Sequence, residues 1–108
     1  MPHPFLSQSD SHMLACPLCG EDYVHLDDVY MAGRPREDGP FKNVHVNDAG
    51  HVEQGEHLDM PIRAGGRRHT IAVGGWCEMC SGRFAIEFRQ HKGQTELAIL
   101  RADWTPIN

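Results

Sequence analysis

Cys16-Pro17-Leu18-Cys19-Gly20 near the start and Trp76-Cys77-Glu78-Met79-Cys80-Ser81-Gly82 near the end decide the reading of this chain. Two residues between the cysteines of each pair let both thiolates of one tight turn point at a single ion. Backbone N–H groups of the same turn then donate to the sulfurs. Gly20 and Gly82 follow the two pairs and relieve crowding there. Two such turns make a closed tetrahedral site, so one structural Zn²⁺ on Cys16, Cys19, Cys77 and Cys80 is the expected cofactor. Two disulfides or a redox-active pair are the alternatives for four cysteines. The paired spacing and the absence of a basic, apolar secretory start in residues 1–14 argue against the former. Against the latter, neither pair stands at a strand-to-helix junction.

A metal is also what the composition asks for. The chain has 108 residues and 12.1 kDa, enough for one domain and not for two. Leu, Ile, Val and Phe supply 22 residues, close to the margin below which a chain struggles to bury a self-sufficient core. No run of about 18 apolar residues is present, which excludes a helical membrane span, and a cytoplasmic location is expected. Ser11-His12-Met13 resembles a cloning scar, which would make the residues before it vector-derived.

Between and beyond the pairs, the pattern is that of strands. Residues 23–31 read as one strand, with Asp27-Asp28 marking a bulge or bend. Residues 33–66 are rich in Gly and Pro; within them 42–46 and 51–53 pair as a short hairpin around Asn47-Asp48-Ala49-Gly50. Residues 69–76, 83–91 and 95–101 are three further strands, the last two joined through Lys92-Gly93-Gln94. Phe84, Ile86 and Phe88 share one face of their strand, with Phe84 and Phe88 committed to a core, while Glu87, Arg89 and His91 share the other, solvated one. No segment sustains a helical period. The expected organisation is a flexible tail over 1–14, a single domain over 15–104 with an insertion at 33–66, and a short tail over 105–108.

The two cysteine pairs and the strands after the second, roughly residues 16–24 and 68–101, resemble zinc-ribbon proteins, in which two knuckles hold a small antiparallel sheet. The resemblance implies a small mostly-β fold and a metal with no open coordination position. It departs from compact ribbons in spacing: 57 residues separate Cys19 from Cys77, where about 15–20 is usual. The chain is also similar to short uncharacterised ribbon proteins of actinobacteria and their phages. The shared features are the early Cys-Pro-Leu-Cys-Gly, Arg36-Glu37-Asp38-Gly39, the late double Arg, and Gln90-His91-Lys92-Gly93. That similarity implies no activity.

Charge bears on partners. The formal net charge is −5, split as −8 over residues 1–62 and +3 over residues 63–108. An acidic chain is repelled by phosphate backbones unless its cations share a face. Arg67, Arg68, Arg83, Arg89 and Lys92 are the candidates for such a face, with Arg101 and His91 beside them. Stacking partners for single-stranded nucleic acid are few: Trp76, set to shield the metal, Tyr30, and Trp104 as an exposed anchor.

The histidines offer weaker signals. His25 lies near the first pair but finds the tetrahedron already filled; His45, His51 and His57 have no metal-ligand spacing. Residues 45–51 faintly resemble the hairpin of an HNH nuclease, but glycines and Pro61 follow where that fold needs a helix. No nucleophile elbow, phosphate loop or dinucleotide fingerprint occurs. The expected function is therefore non-enzymatic: an adaptor or regulator that binds a protein partner. A nucleic-acid-binding ribbon is the alternative and a metal-dependent nuclease the minor one.

Overall fold

The computed structural model describes residues 12–36, 38–55, 68–103 and 105–107. Six strands run in chain order: β1 (Val24–Gly33), β2 (Lys42–Val46), β3 (Val52–Gln54), β4 (Thr70–Cys77), β5 (Arg83–His91) and β6 (Gln94–Arg101). They form one antiparallel sheet in the order β3-β2-β1-β4-β5-β6, and no helix occurs among the described residues. The fold is small and mostly β, as the period-two patterning predicts. Each predicted strand is present to within two residues at either end.

Two of the connections follow directly from local chemistry. Lys92 and Gly93 form a two-residue turn between the paired His91 and Gln94, and both have positive φ (52° and 78°). That is the primed turn whose twist matches the flanking strands. In the β2–β3 hairpin, the Asn47 side chain accepts from the N–H groups of Ala49 and His51, and Gly50 takes φ 85°. The insertion is thus partly sheet: β2 and β3 extend it beyond β1. Residues 56–67 lie outside the described residues.

β1 carries the expected bulge. Leu26 pairs with Gly75 and Val29 with Val73, so Asp27 and Asp28 together face the single Gly74. The extra residue resets the alternation. Val24 and Leu26 before it, and Val29 and Met31 after it, therefore point to one face. Cross-strand register then lines up two rows on that face. Val52, Val46, Val29, Val73, Ile86 and Ile99 make one; Gln54, Val44, Met31, Ile71, Phe88 and Leu97 make the other. Neither row contains a charge.

The core lies at the β4–β6 side. On the apolar face Phe84, Ile86 and Ile99 are buried, with Leu14, Val24, Leu97 and Ile107 packed against them. On the opposite face Ala85, Ala98 and Leu100 form a second cluster beside fully buried Glu87. Two expectations change here. Phe88 shares the face of Phe84 but is 42% exposed, because the covering groups sit over Phe84, Ile86 and Ile99. Glu87 is buried rather than solvated, since Ala72 and Ala98 pair with it and its face is covered.

Gly75 lies inside a central strand for a steric reason. A Cβ there would sit 2.8 Å from the His25 carbonyl oxygen and 2.9 Å from the Phe84 ring. The backbone of β1 and a core aromatic both occupy the space. Replacing Gly75 with Ala is expected to destabilise the fold by about 1–3 kcal/mol. Urea unfolding of the metal-loaded protein should show the loss as a lower midpoint at unchanged slope.

Candidate metal centre

The first knuckle leads into β1 and the second leaves β4, and those strands are neighbours with Val24 paired to Cys77. Strand pairing therefore brings together cysteines that are far apart in sequence. The sulfurs of Cys16 and Cys80 stand 3.8 Å apart, those of Cys19 and Cys77 3.6 Å, and all four lie within 4.8 Å of one another. A tetrahedron with metal–sulfur bonds of about 2.3 Å has sulfurs about 3.8 Å apart. The free thiols thus already stand near the spacing a metal imposes.

Each knuckle supplies its own amides. Leu18 N–H donates to Cys16 Sγ (3.3 Å), Met79 N–H to Cys77 Sγ (3.3 Å) and Gly82 N–H to Cys80 Sγ (3.4 Å). Such bonds offset the negative charge of thiolates and fix their direction. Gly20 adopts φ 87° as its turn requires. At Gly82 the constraint is space: a Cβ would lie 2.4 Å from Leu18 Cδ1 and 3.1 Å from Cys80 Sγ. Leu18 of one knuckle thus packs onto the other. Cys16 and Cys77 are buried, Cys19 and Cys80 exposed.

The thiols do not ionise alike. For Cys19 the Glu21 amide favours the thiolate, but desolvation and the sulfurs of Cys77, Cys80 and Cys16 outweigh it and push the pKa up to about 12. Burial pushes the Cys16 thiol up as well. At Cys77 burial acts upward too, yet the amides of Cys80 and Met79 and bonds from Cys19 and Cys16 bring it down to about 7. Four like charges cannot gather without a cation. These residues are positioned to bind one metal ion, and among the described residues no other group of three or more His, Cys, Asp or Glu converges in this way.

The remaining candidates are dispersed. His25 stacks on Trp76 at 4.5 Å and pairs with Glu78, so Trp76 sits beside the second knuckle and is 37% exposed. His45 lies in β2, bonded to Asp28 Oδ2 at 2.7 Å, and His51 is exposed at the end of its turn. His57, the segment after the β2–β3 hairpin, Arg67 and Trp104 lie outside the described residues. Arg83 pairs with Asp27, and Arg89 with Glu96 at 3.3 Å. Arg68 donates from Nε to the Arg34 carbonyl at 3.0 Å, and Lys92 is exposed in its turn.

A polar cluster at the bulge escaped the sequence reading. Asp28 accepts from Tyr30 Oη (3.3 Å) and bonds His45, whose ring stacks on Tyr30 at 4.5 Å. Desolvation and the Asp28 charge raise the Tyr30 phenol pKa. Asp27, beside it, reaches across Gly74 of β4 to Arg83 of β5. The signal was the Asp27-Asp28 doublet, but its partners become visible only with strand order. Compared with protein-family models, with curated proteins and with solved structures, the chain finds no match.

Three outcomes are expected. Native mass spectrometry should find one metal ion per chain, lost in Cys77→Ser. Removing the ion with a chelator should unfold the sheet, because a structural thiolate site contributes on the order of 10 kcal/mol; persistence of the near-UV dichroism would refute this. Metal affinity should also weaken as pH falls, since binding must release protons from thiols that are otherwise held, Cys19 most of all. Competition titrations against a chromogenic chelator at several pH values measure that slope.

Proposed function

We propose that the chain is a non-enzymatic zinc ribbon that serves as an adaptor or regulator for a protein partner. Zinc is the metal best suited to four thiolates at tetrahedral spacing, because it is redox-inert and imposes no geometry of its own. Four protein ligands leave no position for a substrate or an activated water, so the role of such a site is structural.

The observation that carries the partner class is what stands exposed around the knuckles. Met13 (54%), Leu18 (43%), Tyr23 (59%) and Met79 (61%) present apolar side chains to solvent there. Methionine and leucine at the tips of a rigid metal-held turn are adaptable anchors for a protein surface. The cations point the other way. Arg83 and Arg89 are paired with carboxylates, and a paired arginine must give up its carboxylate, or bring that negative charge with it, to neutralise a phosphate. The similarity to ribbon proteins of actinobacteria and their phages belongs to this reading, and it names no partner.

Chemical cross-linking in the native cell, followed by capture of the chain, should recover a protein. Leu18→Glu with Met79→Glu should lose it while keeping the metal, and Arg68→Glu should retain it. Duplex DNA should bind no tighter than about 10 µM at physiological salt, the ordinary non-specific range. Nucleic-acid binding that is tighter, falls steeply with salt and is abolished by Arg68→Glu would overturn the assignment.

A further inference from the structure

Beside the β5–β6 turn, where β4 begins, the sheet holds a concavity of about 330 Å³. Arg68 and His69 line it, with Gln90 of β5 and residues 92–95 of the turn and the start of β6. Among the described residues neither a carboxylate nor a large apolar side chain lines it. The volume lies at the low end of ligand pockets, whose walls are ordinarily apolar. Hydrophobic burial therefore supplies little here, and a ligand must be held by charge and hydrogen bonds.

Local hydrogen bonds turn this lining into a set of donors. The Arg34 N–H donates to His69 Nδ1 at 3.0 Å, which leaves the imidazole proton on Nε2. Arg68 donates from Nε to the Arg34 carbonyl at 3.0 Å, so its guanidinium is held by one edge. Its two Nη groups meet no acceptor among the described residues. The His69 N–H donates to Gln90 Oε1 at 3.4 Å, which engages the amide oxygen and leaves the NH₂ as a donor. Arg83 and Arg89 have carboxylate partners, whereas among the described residues Arg68 and Lys92 have none.

The turn adds an independent observation. Lys92 takes φ 52° at the first central position of a primed turn, where Asn, Asp or Gly fit with less strain. The turn gains nothing from a lysine there. What the residue brings to this place is a second cation.

We infer that the concavity binds a phosphate group presented as a dianion: inorganic phosphate or the terminal phosphate of a small monoester. Such a group carries close to two negative charges at neutral pH and at least three acceptor oxygens. Arg68 and Lys92 match the charge, the guanidinium as a fork onto two oxygens and the ammonium as a point charge. A phosphodiester carries one charge and leaves one of the cations unmatched. An extended polyanion also meets the rest of a chain whose formal charge is −5, whereas a single small phosphate meets the local cations alone. The site is separate from the knuckle tips and does not rest on the partner assigned to them.

NMR titration of the metal-loaded, isotope-labelled full chain tests this, at neutral pH and constant ionic strength, with inorganic phosphate, glycerol 3-phosphate and dimethyl phosphate as probes. The first two should shift the Gln90, Gly93, Gln94 and Thr95 amides to saturation with a Kd of about 1 mM or below, and dimethyl phosphate should bind at least about tenfold more weakly. Equal or tighter binding of inorganic phosphate assigns the site to the free ion. Tighter binding of the ester assigns it to a phosphorylated small molecule. Lys92→Asn suits the turn, so the fold and the metal content should persist while phosphate binding weakens about tenfold. Arg68→Gln should weaken it similarly, and Arg68→Lys should restore part of the loss. Absence of saturation at about 20 mM phosphate overturns the proposal. So does binding that Lys92→Asn leaves unchanged, binding of dimethyl phosphate with equal affinity, or shifts centred on Lys42 or Arg101 instead.

Discussion

Everything in this sheet hangs from the junction of β1 and β4, and the four cysteines clamp one end of it. The first knuckle opens into β1 and the second closes β4, so a metal there ties together the two ends of a long stretch of chain. Closing such a loop costs conformational entropy that a chain with few large apolar residues is poorly placed to offset by burial alone. The remaining strands are local additions: β2 and β3 fold back on β1 as a hairpin, and β5 and β6 run on from β4 through a second tight turn.

That division explains which parts of the fold were legible in the sequence. Alternation at Phe84, Ile86 and Phe88, the turn residues Lys92-Gly93 and Asn47–Gly50, and the two cysteine pairs are local signals, and the structure bears each of them out. Contacts set by strand order were not legible. His45 meets Asp28 only because β2 lies beside β1, and Arg83 meets Asp27 only because a glycine stands between them on β4. Alternation likewise shows that Phe88 and Phe84 share a face without showing that the cover extends over one and not the other. Periodicity reports the face; tertiary packing decides whether that face is dry.

The arginines show the same limit in charge. By count the C-terminal half is basic, yet a count does not say where the carboxylates of the other half come to rest. Asp27, from the acidic half, reaches Arg83 of the basic half, and within the basic half Glu96 meets Arg89 across the β5–β6 pair. Folding interleaves the two halves because β1, from the acidic half, sits at the centre of the sheet beside β4. The charge asymmetry of the linear chain is thereby reduced on the described surface.

The bulge at Asp27 and Asp28 links the polar and apolar sides of this protein. Were Asp27 and Asp28 both paired in regular register instead of bulged, β1 would keep strict alternation, and Val29 and Met31 would fall on the face opposite Leu26. The apolar rows would break at their centre, between β1 and β4. With the bulge, Val29 and Met31 continue the rows while Tyr30 stacks on His45 and bonds Asp28. The two aspartates that fill the bulge also satisfy their own polarity, one through Arg83 and one through His45 and Tyr30. Gly74, opposite both, permits it: a Cβ there would lie 2.6 Å from the Asp27 carboxylate. One inserted residue and one missing side chain thus set which groups the sheet keeps among its own polar contacts and which it offers outward.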